Sequence, residues 1–355
     1  MATVIGITPH RPTPDTNQTH LQMANCHRLF QKYLEDISVS GKRKEKMKDS
    51  RLALQDHLKT YFKNKVGVTT PRFRIQGSYI MGTMVRKLDD TYDVDLGLYF
   101  LEKPTVDAAT VQRYVFDAVK DWTDTPPVHK SKCIRVIYKG DYHVDIPVYY
   151  KLDNEVHPHL ATKGGWEDSD PKEFNDWFTK RSDANGQLKR MVKYLKAWSD
   201  KLNFRSPSGL TLTVWAANYV QHCDRDDETL VKLLERMRDS IPYGFICMLP
   251  VFAYNDVTAK LDNSQKEKFR EALKSFAGDA RKALGSKNQL EASNLWRKHL
   301  GDRFPVGEDK DVDAVETRLL EAAIAASTGA AKVDRSGKIQ INEGVPYKPN
   351  RNFGG

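Results

Sequence analysis

Two short segments, YDVDLGLYF at residues 92–100 and HVDIPVYY at residues 143–150, set carboxylates into an otherwise apolar alternation. Side chains alternate between faces along a strand. Val94, Leu96, Leu98 and Phe100 therefore share one face, and Asp93, Asp95, Gly97 and Tyr99 share the other. The apolar face must be buried. Two carboxylates on the opposite face repel each other, and that arrangement is costly unless a cation sits between them. Hard divalent ions take oxygen ligands and combine one or two carboxylates with substrate phosphates. The second segment repeats the design: Val144, Ile146 and Val148 on one face, His143, Asp145 and Pro147 on the other. A third carboxylate on a neighbouring strand completes the donor set of a two-metal site for in-line phosphoryl displacement.

The segment upstream adds a phosphate-binding loop. In QGSYIMGT, Gly77 and Ser78 can turn tightly and direct backbone N–H groups at a triphosphate, and the Ser78 hydroxyl adds a donor. Gly82 and Thr83 extend the polar loop. A DxD alone is also what a solvated strand edge looks like. The order Gly-Ser, then DxD, then an apolar-Asp-apolar strand is far more specific.

The chain of 355 residues is long enough for two modest domains, and 39% hydrophobic with 29% charged residues is an ordinary globular composition. No stretch approaches the roughly 20 apolar residues of a membrane span. The first residues lack a basic segment followed by an apolar run, so no secretory leader and a cytoplasmic location are expected. Cys26, Cys133, Cys223 and Cys247 are scattered, with no CxxC pair, and read as free thiols. The formal net charge of +9 favours polyanionic ligands without choosing among them.

Periodicity divides the rest. Three-to-four spacing predicts helices between about Thr19 and Lys65, with the basic segment GKRKEKMKD as a solvated face or a turn between them. FRIQGSYI, DVDLGLYF, CIRVIYKG and HVDIPVYY read as strands, with a helix from about Val106 to Trp122. After Asp170 the chain turns helical again, through QLKRMVKYLKAWSDKL, SPSGLTLTVWAANYV and three later runs. The division expected is a flexible start (1–18), N-terminal helices with an αβ core (19–165), a helical half (166–329) and a flexible tail (330–355). His157 and His159 in VHPHL have metal-ligand spacing but read as a loop.

GSYIMGTMVRKLDDTYDVDLGLYF followed by HVDIPVYY resembles the polymerase-beta-like nucleotidyltransferase superfamily. WEDSDPKEFNDWF, MVKYLKAWSD and SPSGLTLTV narrow the resemblance to the cGAS/DncV-like nucleotidyltransferases of CBASS anti-phage defence. The fold this implies is α+β: a nucleotidyltransferase core with a mixed sheet and helices, plus a C-terminal helical domain, the two lobes flanking a cleft. The implied activity is synthesis of a cyclic di- or trinucleotide from ATP, GTP or other nucleoside triphosphates, with a purine-containing product. Two Mg²⁺ ions, with Mn²⁺ as the alternative, would be held by Asp93, Asp95 and Asp145, and Asp145 would also help deprotonate the attacking hydroxyl. Gln76, Gly77 and Ser78 would hold donor phosphates. Ser169, Lys196 and Ser208 would contact nucleotides, Arg135 would face a base or phosphate, and Asp256 would touch a base edge.

The chain ends NRNFGG. The resemblance implies an E1/E2-like conjugating partner that activates a C-terminal glycine, here Gly355, and glycine's missing Cβ suits a narrow channel. No stable nucleic-acid partner and no membrane span are expected. A template-free polymerase and a tRNA- or antibiotic-modifying transferase share the same chemistry. A catalytically dead nucleotide-binding regulator is the reading from another class, and retention of all three carboxylates opposes it.

Overall fold

The computed structural model describes residues 24–241 and 244–311, with short stretches between 324 and 346. The described residues open with two helices, α1 (His27–Ile37) and α2 (Gly41–Phe62), separated at Ser38–Ser40. The basic segment is the first half of α2, where Ser40 caps the helix by accepting from the Arg43 N–H at 3.4 Å. Leu54, Leu58 and Phe62 of α2 then pack on the sheet.

The sheet is built from β1 (Arg72–Gln76), β2 (Tyr92–Phe100), β3 (Val128–His129), β4 (Ile134–Tyr138), β5 (Tyr142–Ile146), β6 (Val148–Tyr150), β7 (His159–Thr162) and β8 (Gly165–Asp168). β2 pairs in parallel with β5 and β6, and its partner β1 is antiparallel. All other pairings in this sheet are antiparallel. Val94, Leu96, Leu98 and Phe100 are fully buried, with Val144, Ile146 and Val148 beside them, as the alternation requires. Helix α4 (Ala108–Val119) covers this core with Val111, Val115 and Val119.

The expected strand FRIQGSYI ends early, at Gln76, and GSYI becomes a short helix, α3 (Gly77–Met81). Gly77 at φ +66° turns the chain out of the strand, a conformation that glycine adopts without steric cost. The expected strand HVDIPVYY is split at Pro147, which has no N–H for a ladder. β7 and β8 form a hairpin in sequence that carried no clear period.

Helices α5 (Pro171–Arg181), α6 (Gln187–Asp200), α7 (Gly209–Tyr219), α8 (Asp226–Ser240), α9 (Asn263–Gly285) and α10 (Gln289–Leu300) follow. Their apolar stripes, with that of α1, make a second core around Trp198, Trp215, Phe269, Phe276 and Trp296. Among the described residues no helix is long and apolar enough to cross a membrane. The four cysteines are free. In the segment expected as a flexible tail, β9 (Lys332–Val333) pairs with both β10 (Ile339–Gln340) and β11 (Val345–Pro346). Gly355 lies outside the described residues.

One buried ion pair ties the helical core together. The Asp226 carboxylate is fully buried and accepts from Arg190 at 2.7 and 2.8 Å, from Tyr194 Oη at 2.9 Å and from Gln187 at 3.2 Å. Burial pushes its pKa up, and the Arg190 bonds more than reverse this. Asp226→Ala leaves the guanidinium unpaired and is expected to destabilise the chain by about 3–5 kcal/mol. Urea denaturation measures this, and a loss below about 1 kcal/mol would remove Asp226 from its structural role.

Candidate active site

The parallel register of β2 and β5 sets Asp95 opposite Asp145 and Asp93 opposite His143. Three carboxylates and an imidazole thus converge on the polar face of two central strands. Their compensation is unequal. Asp145 accepts from Arg135 Nε at 2.7 Å and from a terminal nitrogen at 2.8 Å, with Lys130 at 3.4 Å. Asp93 accepts from Lys87 at 2.5 Å and His143 Nδ1 at 3.0 Å, and Arg135 is 3.0 Å away. Burial raises the Asp93 pKa, but Lys87 and Arg135 outweigh it, so the net shift is downward. Asp95 makes no hydrogen bond or ion pair among the described residues. Burial, then repulsion from Asp145 and Asp93, pushes its carboxyl up to about 7. A recessed carboxylate under like-charge repulsion, its neighbours held by bases, fits a divalent-cation site.

The opposite wall is made of helix starts. Gly77 and Ser78 open α3, Asp170 and Pro171 open α5, and Ser208 and Gly209 open α7, and all line one cavity of about 550 Å³. Helix N-termini present unpaired N–H groups and partial positive charge to an anion. Gly77 is required twice. Its φ is positive, and a Cβ there would collide with the Asp95 carboxylate. A second cavity of about 430 Å³ adjoins the first, sharing Ser78, Asp93, Lys196 and Gly209, and adds Lys87, Ser199, Arg205 and Ser206. The Lys196 ammonium donates to the Thr83 carbonyl at 3.2 Å and its hydroxyl at 3.3 Å. Burial lowers its pKa to about 8, against the pull of Asp95.

Asp93, Asp95, Asp145, Gln76, Gly77, Ser78, Ser169, Lys196 and Ser208 therefore line one cavity. One expectation narrows and two need revision. Gln76 is held between two tyrosines, its amide donating to Tyr149 Oη at 3.0 Å and accepting from Tyr99 Oη at 3.0 Å, which leaves one amide N–H for a phosphate. Arg135 spends its guanidinium on Asp145 and Asp93 rather than on a base or phosphate. Asp256 lines neither cavity, and its Oδ1 accepts from the Cys247 and Thr258 N–H groups and the Thr258 hydroxyl to close its own loop. His157 and His159 serve separate clusters: His157 sits 3.3 Å from both Asp170 and Glu173, while His159 pairs with Glu155 and Asp168. Lys87, Lys130 and Arg205 had no recognisable signal. His143 did have one, since it shares the polar face with Asp145.

Comparison with known proteins locates this geometry. The family model for the nucleotidyltransferase domain of cyclic GMP-AMP synthase DncV-like proteins matches residues 71–149. A cyclic GMP-AMP synthase of Escherichia albertii is 32% identical over 177 residues, covering 45% of this chain and 40% of that protein. A cyclic AMP-AMP-AMP synthase of an Acinetobacter species is 28% identical over 305 residues, covering 78% and 84%. The fold matches the Vibrio cholerae DncV cyclic AMP-GMP synthase with a TM-score of 0.69 at 17% identity, over 79% of this chain and 97% of that one. It also matches the Bradyrhizobium diazoefficiens CD-NTase CdnG, solved with GTP, with a TM-score of 0.65 at 15% identity over 78% and 95%.

Gly77→Ala forces either the α3 turn or Asp95 to move. Affinity for a non-hydrolysable nucleoside triphosphate is expected to fall roughly ten- to hundredfold, matching the strain of a disfavoured backbone. Calorimetric titration, with circular dichroism as the folding control, measures it. Unchanged affinity would separate Gly77 from the site.

Proposed function

We propose that the chain, whose residues 71–149 match the DncV-like nucleotidyltransferase domain, is a DncV-like nucleotidyltransferase of the polymerase-beta-like superfamily and condenses nucleoside triphosphates into a cyclic oligonucleotide. One observation carries this reading: two adjoining cavities meet at Asp93, Ser78 and Lys196, beside all three carboxylates. Nucleotidyl transfer joins a donor triphosphate to an acceptor hydroxyl. A synthase whose acceptor is itself a triphosphate needs a nucleotide-sized cavity for each, with the reacting atoms at their junction.

In this reading Ser78 and the starts of α3 and α7 hold the donor triphosphate. The acceptor ribose hydroxyl attacks the donor α-phosphorus, and the bond to diphosphate breaks as the new phosphoester bond forms. Asp145 receives the hydroxyl proton, its orientation fixed by the two-pronged Arg135 contact. Lys196 places positive charge where the phosphates crowd. Divalent cations, Mg²⁺ foremost, would be held by Asp93, Asp95 and Asp145 and would neutralise charge on the phosphates. A second round of the same displacement closes the ring.

The relatives named above make cyclic GMP-AMP and cyclic AMP-AMP-AMP, which supports a purine-containing di- or trinucleotide. The defence role, and conjugation of Gly355 by an E1/E2-like partner, extend the proposal from the family resemblance and the NRNFGG ending. Mass spectrometry of the chain expressed with its neighbouring genes tests the second: an unmodified C-terminus during phage infection would count against it.

Incubation with four ribonucleoside triphosphates and Mg²⁺, then phosphatase, separates the alternatives. A phosphatase-resistant product is expected, whereas a linear ladder would indicate a template-free polymerase. Asp95→Asn should cut product formation by more than about 100-fold, beyond the usual effect of changing an outer metal neighbour. Chelation of divalent ions should do the same, and activity that survives both would sink the site assignment.

A further inference from the structure

Behind the triphosphate loop lies a smaller recess, about 240 Å³, lined by Val39, Lys44, Tyr79, Gly82, Met84 and Lys193. It shares no residue with the larger cavity of the cleft and only Met84 with the smaller one, and it is built on the same segment. Ser78 faces the cleft, while Tyr79 and Gly82 face the recess. No carboxylate lines it.

Cations gather around it from two helices. Lys44 and Arg51 stand two turns apart on α2, so they share a face. Lys189 and Lys193 stand one turn apart on α6. The Lys189 stem passes Gly82, about 3.7 Å from where a Cβ would sit. Lys193 donates to Ser38 Oγ at 3.0 Å, a neutral partner that leaves its charge uncompensated. Arg51 is 9% exposed and has neither ion pair nor hydrogen bond among the described residues. Burial lowers the pKa of both Arg51 and Lys193, and Lys44 lowers that of Lys193 further.

Elsewhere several half-buried arginines have acidic partners. Arg190 holds Asp226, Arg225 holds Asp227, and Arg135 holds Asp145. Lys193 and Arg51, drawn in from solvent without an acid while the exposed Lys44 repels Lys193, are costly unless an anion joins them. This mirrors, with the sign reversed, the argument for a cation at the carboxylates.

We infer that this recess binds a small phosphate-bearing anion, carrying one or two phosphoryl groups, between Lys44 and Lys193. Ammonium groups suit a phosphate as point charges. The volume suits a free phosphate or diphosphate, and Val39 and Met84 add apolar lining. The exposed lysines of the first turns of α2 would guide the anion in. Because α3 forms one wall of the recess and one wall of the cleft, the bound anion steadies the segment that carries Ser78.

Isothermal titration of inorganic phosphate, then of diphosphate, into the full chain tests this, with divalent ions chelated and ionic strength held constant. Saturable binding is expected for at least one of the two. The Lys44→Ala/Lys193→Ala pair should weaken it by at least about tenfold, and Lys44→Gln/Lys193→Gln, which keeps most of the packing, should do the same. Ser78→Ala, which alters only the cleft, should leave it within about twofold, the scale of one exposed contact. Binding lost in Ser78→Ala but kept in both lysine pairs would assign the anion to the cleft and overturn the inference. So would absence of binding by either anion, or binding only of a 20-base-pair DNA duplex titrated in parallel.

Discussion

The rest of the structure depends on a repulsion. Parallel pairing of β2 with β5 forces Asp95 and Asp145 into register, with Asp93 one step along the same face. The apolar residues between them leave no freedom to turn away, because rotating either strand would expose Val94, Leu96, Val144 and Ile146. Negative charge is concentrated there by the hydrophobic effect acting on the opposite face. The surrounding bases then divide the burden. Arg135 and Lys130 attend Asp145, and Lys87 and His143 attend Asp93. Asp95, in the middle, is left to whatever enters the cleft.

The positive side of the cleft is made differently. It draws on the starts of α3 and α7 and a recessed lysine rather than on a row of arginines, while the start of α5 carries the Asp170 carboxylate that caps its own Glu173 N–H. Reliance on backbone N–H groups explains why small residues crowd the positions where the first two helices open: Gly77, Ser78, Ser208 and Gly209. At Gly209 a Cβ would come within about 3.1 Å of the Lys196 stem, so even this exposed turn is shaped by what must pass beside it. The same economy separates the two cores. α3 is only five residues long, yet its Met81 belongs to the helical core while the preceding strand belongs to the sheet.

Much of this was legible in the sequence, for a physical reason. Period-two alternation is enforced by burial, so it exposes both the strands and the residues that break the apolar rule. The three aspartates, Ser78, Ser169, Lys196 and Ser208 were found that way or by resemblance, and all line one cavity. What was missed depends on long-range geometry. Gln76 is flanked by Tyr99 and Tyr149, whose rings stack with centroids 4.6 Å apart, and only their pairing across the sheet reveals how its amide is held. Asp256 looks available in sequence, but its acceptor is taken by a loop that local spacing does not predict. Lys87 sits between two motifs and gains meaning only when the loop folds back onto Asp93.

Pro147 shows how one residue reconciles these demands. The strand that carries Asp145 must pair with β4 along its first part, because Arg135 on β4 stands opposite Asp145. Further along it must pair with β7, whose hairpin partner β8 leads into Ser169 and the start of α5. One continuous edge partner would serve only the first demand. Proline has no N–H, so pairing with β4 stops at Ile146 and pairing with β7 begins at Tyr149. The Pro147 carbonyl still accepts from the Leu98 N–H at 2.9 Å, which keeps both halves attached to β2. A residue that sequence reading places only on the polar face beside Asp145 is thus what lets the carboxylate strand and the helical wall of the cleft meet at one site.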